Sequence, residues 1–94
     1  MKNAELFTPL KVGSLVIPNR ILMAPLTRCR AGTNHIPNDL MATYYAQRAS
    51  AGLLIAEATM IQENNSAFVA EPGIYNREQV AGWRVVTDAV HKQG

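Results

Sequence analysis

Two stretches of this chain, Arg20–Ala24 (RILMA) and Leu53–Ile61 (LLIAEATMI), are almost unbroken apolar runs, and a segment of helical periodicity follows each. A strand with one wet face alternates polar and apolar residues, whereas a strand covered on both faces reads as a continuous apolar run. Strand, helix, strand, helix with buried strands implies parallel β-α-β units joined by right-handed crossovers. No other feature narrows the choice of fold so far.

The segments between the strands support that reading. After the first run comes a polar loop, TRCRAGTNHIP, and then Asn38, an N-cap residue type, with Asp39 favourable in the first helical turn. Leu40, Met41, Tyr44, Tyr45 and Ala49 recur at helical spacing, and Gly52 is placed to stop the helix. The second run breaks into QENNSAFVAEPGIYN. A second helix is expected from about Arg77, with Val80, Trp83, Val86 and Val90 as its core stripe and Gly94 as its terminator. Ahead of all this, residues 6–19 hold two very short apolar runs around Gly13-Ser14, which predicts a small β-hairpin or lid.

Two architectures share this alternation: an open doubly wound sheet and the start of a (β/α)8 barrel. The open sheet normally carries a glycine-rich phosphate turn after its first strand. Here that position reads APLTRCRAG, without GxGxxG, and a dinucleotide-binding site of that type is disfavoured. In both architectures ligands sit at the carboxyl ends of the strands, which directs attention to Ala24–Arg28 and Glu57–Thr59.

Composition closes off other classes. Nine Lys/Arg against seven Asp/Glu give a net charge of +2, and no basic run marks a nucleic-acid surface. No stretch approaches the ~18 apolar residues of a membrane span. The opening MKNAELFTPLKVG lacks the apolar core of a signal peptide, so the expected location is cytoplasmic. A single cysteine, Cys29, cannot form an internal disulfide and argues against a zinc cage; it is expected to be a small, partly buried side chain. No metal site is expected.

Three blocks in order, LFTPLKVGSLVIPNRILMAPLTR, YYAQRASAGLLIAEATMI and EPGIYNREQVAGW, closely resemble the N-terminal part of the old yellow enzyme family. Such proteins are flavin-dependent ene-reductases on a (β/α)8 barrel that holds FMN. The resemblance implies that residues 1–94 form the N-terminal segment of a single flavin-binding TIM-barrel domain, with 1–19 as hairpin or lid and 20–94 as the first two β-α units. It implies FMN and NAD(P)H as cofactors: a hydride passes from NAD(P)H to the flavin, then to an alkene activated by a carbonyl or nitro group. The expected partner is therefore a small-molecule activated alkene, with neither nucleic acid nor membrane.

Residue by residue, the resemblance lays the backbone of Ala24, Pro25 and Leu26 against the flavin ring. Thr27 matches a hydroxyl that donates to the flavin C4 oxygen, and Ala58 matches a small residue that lets the ring approach closely. Phe68 falls where the family usually has a tyrosine lining the substrate side, so stacking is kept and a phenolic hydrogen bond is lost. Glu57 is expected to pair with a neighbouring arginine. His35 and His91 match no catalytic position, and His91 near a helix C-terminus is a favourable end charge. No catalytic residue is expected within residues 1–94, because the substrate-orienting pair, the proton donor and the phosphate grip all match positions later in the family. A barrel of this kind typically needs about 250 residues, and at least about 200. The alternatives are a different FMN-barrel chemistry, such as dienoyl-CoA reduction, and a truncated, inactive segment that serves binding or structure.

Overall fold

The computed structural model describes residues 2–94. A 3-10 turn, Lys2–Phe7, leads into a hairpin of β1 (Leu10–Val12) and β2 (Leu15–Ile17), antiparallel with Leu10 opposite Ile17. Gly13 takes φ +61° at the two-residue turn, the conformation that a tight hairpin demands at its first central position. Arg20, just past β2, reaches back across the base of the hairpin. Its amide donates to the Leu6 carbonyl at 2.8 Å, and its Nε donates to the Thr8 hydroxyl at 3.2 Å.

The two expected core strands appear as β3 (Leu22–Met23) and β4 (Leu53–Leu54), paired in parallel with Leu22 opposite Leu53. Both are shorter than their apolar runs. Pro25 has no N–H to continue the ladder on β3. Beyond Ile55, whose amide donates to the Met23 carbonyl at 3.2 Å, the second run turns to other partners, and at Met60 it makes a lone parallel bridge to Gly73. Ile21, Leu22 and Ile55 are all more than two-fifths exposed. Burial on both faces, expected from the continuous apolar pattern, is therefore not reached within residues 2–94.

Helix α1 (Asp39–Ala46) begins as its sequence predicts, with the Asn38 Oδ1 accepting from the Met41 amide at 3.1 Å. It ends earlier than expected. The chain leaves α1 through 3-10-type turns at Arg48, Ala49 and Ala51, and Gly52 does not stop the helix. Gly52 is needed for another reason: a Cβ there would collide with the Asn19 carbonyl oxygen, where the chain entering β3 crosses the chain entering β4. Helix α2 (Arg77–Lys92) matches its expected start, capped by Asn76 Oδ1 accepting from the Gln79 amide at 2.9 Å.

The core lies between the helices. Met41, Ala42, Tyr45 and Val86 are buried together, and Met23, Leu54, Trp83 and Val90 pack against them from the strands and α2. Of the predicted stripe on α2, Val86 is buried and Val80 is 44% exposed. On α1, Leu40 is exposed while Met41 and Tyr45 are each only 2% exposed.

Candidate functional site at the carboxyl ends of the parallel strands

Parallel pairing brings the exits of β3 and β4 side by side, and beyond the ladder the Glu57 carboxylate reaches the Arg28 amide between them. Ala24, Pro25, Leu26 and Ala58 are exposed, and Thr27 is half-buried. These residues offer a short apolar wall at the strand exits, with the Thr27 hydroxyl beside it. Among the described residues the hydrogen bond at Thr27 engages its carbonyl, which accepts from Arg28 Nε at 3.2 Å. Its hydroxyl is left for another partner.

Glu57 sits directly behind the wall and is 4% exposed. The expected arginine ion pair is not what satisfies it. Its Oε2 accepts from the Tyr45 hydroxyl at 2.7 Å, and its Oε1 accepts from the Arg28 backbone amide over a long 3.4 Å. The Tyr45 oxygen in turn accepts from the Glu57 amide at 3.1 Å. Burial first, then the bond to Glu57, pushes the Tyr45 phenol well above its ordinary range, so it remains a proton donor. The guanidinium groups point to backbone instead. Arg30 Nη1 donates to the Arg28 carbonyl at 3.1 Å and to the Cys29 carbonyl at 3.2 Å. Cys29 is partly buried, as expected, with φ +56° in the same turn.

Phe68 lies on the loop that precedes α2 and is 47% exposed. This loop is organised by Glu71, 3% exposed, whose Oε1 accepts from the Ala67 amide at 2.6 Å and the Phe68 amide at 3.2 Å. Burial alone would raise the Glu71 carboxyl. The two amides, with Ser66 and the neighbouring His35, more than offset it and hold the group below the usual carboxylate range. His35 Nδ1 lies 2.7 Å from the Glu71 carbonyl, and the Ala31 amide donates to the Ala70 carbonyl at 3.0 Å, so the loop is tied to the segment that leaves the wall. Gln79, fully buried, completes the anchorage: its Oε1 accepts from the Tyr75 amide at 2.9 Å and its Nε2 donates to the Asn34 carbonyl at 3.0 Å.

Sequence reasoning singled out Ala24, Pro25, Leu26, Thr27 and Ala58 and missed the polar groups around them. Tyr45 read as one more member of a helical stripe, and Gln79 and Glu71 were not singled out. A polar residue on the inward stripe of α2 was the only available signal for Gln79. Separately, an apolar groove of about 430 Å³ runs between the hairpin, β4 and α2, lined in part by Ile17, Leu54, Trp83 and Val90, and it includes none of the wall residues.

Residues 5–94 match the NADH:flavin oxidoreductase / NADH oxidase family. The chain belongs to that family. It is 58% identical over 86 residues to a Leishmania infantum protein named "Probable flavin mononucleotide-dependent alkene reductase", a match covering 92% of this chain and 24% of that one. Among solved structures, it superimposes on the old yellow enzyme of Trypanosoma cruzi with a TM-score of 0.94 at 53% identity, over 100% of this chain and 26% of the other. Morphinone reductase in complex with tetrahydroNAD gives a TM-score of 0.90, also at 53% identity, over 95% of this chain and 24% of that one. The chain thus spans about a quarter of the length of the relatives it matches. As a flavin oxidoreductase family member it has the α/β fold of the N-terminal part of a (β/α)8 barrel, and the wall lies on the face where barrels of this kind bind their ligands.

Proposed function

We propose that this chain is the opening quarter of an FMN-dependent oxidoreductase that uses NAD(P)H to reduce alkenes activated by a carbonyl or nitro group. One observation supports the reading: the two strands pair in parallel, and Ala24, Pro25, Leu26 and Ala58 are exposed just beyond their carboxyl ends, with Thr27 half-buried among them. Those residues fit a flat conjugated ring. Pro25 has no N–H to be left unpaired against an aromatic face, and Ala24 and Ala58 are small enough for close approach. Leu26 adds apolar surface, and Thr27 supplies a donor at the edge. When bound, FMN supplies the hydride chemistry that links NAD(P)H to the alkene. The roles of this chain are to bind the ring, exclude water from one side of it and hold a proton donor at its edge. Phe68 offers a ring to the substrate side, with no hydroxyl of its own.

The test is direct. The full-length protein should purify yellow, bleach with NADPH under anaerobic conditions and regain its colour on addition of 2-cyclohexenone. A protein that purifies colourless and takes up no added FMN overturns the reading.

A further inference from the structure

The wall is made of loop backbone, yet a donor that acts on a flat ring must be held within a few tenths of an ångström. Something has to hold it, and three elements converge on one buried side chain at that point. Glu57, on the exit of β4, reaches the amide of Arg28 on the exit of β3 and the hydroxyl of Tyr45 on α1. Tyr45 closes a two-point ring by accepting from the Glu57 amide while donating to the Glu57 carboxyl. One bond attaches to a peptide that flanks Thr27, and the other attaches one residue ahead of Ala58. The amide of Arg28 belongs to the peptide that leaves Thr27, and the amide of Glu57 belongs to the peptide that precedes Glu57 and Ala58. Tyr45 and Glu57 are 2% and 4% exposed, so losing either partner leaves a buried polar group that is costly to satisfy.

We propose that Glu57 and Tyr45 are positioning residues for the flavin wall: together they set the relative placement of Thr27 and Ala58, and through Thr27 they raise the reduction potential of a flavin that neither of them touches. The inference rests on the reading of the wall as a flavin site. Simple satisfaction of buried polar groups is the rival account, and the two differ in what they couple. A purely structural pair affects stability alone, or shifts the potential independently of Thr27. A positioning pair acts through Thr27 and has no further effect once its hydroxyl is gone.

The experiment is a double-mutant cycle in the full-length flavoprotein, read as the midpoint potential of bound FMN. Tyr45→Phe should weaken the binding of reduced relative to oxidised FMN about tenfold, a midpoint lowered by about 30 mV. Thr27→Val should lower the midpoint at least as far, and the Thr27→Val/Tyr45→Phe double variant should match Thr27→Val alone. Glu57→Gln, which keeps the side-chain shape and an acceptor for the Arg28 amide, serves as the second variant should Tyr45→Phe fail to fold. It is expected to lower the midpoint in the same direction and to be equally silent beside Thr27→Val. An unchanged midpoint in the single variants, or additive shifts in the doubles, overturns the proposal. A wild-type protein that binds no FMN instead brings down the flavin reading beneath it.

Discussion

At the scale of single residues, Thr27 is where a small change should have the most specific effect. In the proposed flavin site its hydroxyl would donate where a reduced flavin carries more negative charge than an oxidised one. A hydrogen bond to a charged group contributes about 1.5–3 kcal/mol, and about 1.4 kcal/mol corresponds to 30 mV for a two-electron couple. Thr27→Val keeps the shape of the side chain and removes only the donor, so a redox titration of the full-length protein should find the midpoint lowered by roughly 30–60 mV. Gln79 carries a prediction of a different kind. It is fully buried and satisfies one backbone donor and one backbone acceptor. Gln79→Leu strands both, and chemical denaturation of the full-length protein should show a loss of about 2–6 kcal/mol at roughly 1–3 kcal/mol per unpaired group.

At the scale of elements, the helix pair is set by a close approach. Gly82 lies inside α2, where alanine would favour the helix by about 1 kcal/mol. A Cβ there would come within 2.6 Å of the Pro37 carbonyl oxygen, just ahead of the Asn38 cap of α1, and backbone cannot step aside as a flexible side chain can. Overpacking of that kind costs about 1–3 kcal/mol. Contact outweighs propensity, and Gly82→Ala should lower the urea midpoint even though it improves the helix. The loop that carries Phe68 should respond to acid. Glu71 is held below the ordinary carboxylate range, so its contribution is fully present above the unfolded-state value and is lost as pH falls through the lower folded-state value. Hydrogen exchange at the Ala67 and Phe68 amides, corrected for intrinsic rate, should accelerate across that acidic window. Glu71→Gln should make it fast at neutral pH.

At the scale of the whole molecule, these residues expose more surface than a self-sufficient domain would. A folded monomer of 10.3 kDa should present about 5,400 Å², whereas the chain presents 6618 Å². Its radius of gyration is 14.8 Å, against about 12.4 Å for a compact domain of its length. Leu22, Ile55 and Val16 contribute to that excess, and the parallel pair β3–β4 has two edges to be met. The 94 residues expressed alone should therefore bind a hydrophobic dye, show poorly dispersed amide resonances and retain no FMN after desalting. Well-dispersed resonances together with a retained flavin band would contradict this. The full-length protein should show the reverse on each count.

Much of this was legible in the residues themselves. Both helix starts, at Asn38 and Asn76, and the hairpin turn at Gly13 are written in a few adjacent positions, because capping and turn chemistry act over one helical turn or less. The apolar runs and the helices between them determined that the strands pair in parallel, and with that which end of the sheet Ala24–Thr27 and Ala58 follow. What only the tertiary structure decided is how distant residues meet. Gly52 proved to be a packing glycine against Asn19, Gln79 a buried anchor, and Glu57 the partner of Tyr45 and of the Arg28 backbone amide. The physical reason is the same each time: a buried polar group must find a partner, but the partner is chosen by which elements the fold brings within 3 Å, and spacing along the chain does not encode that.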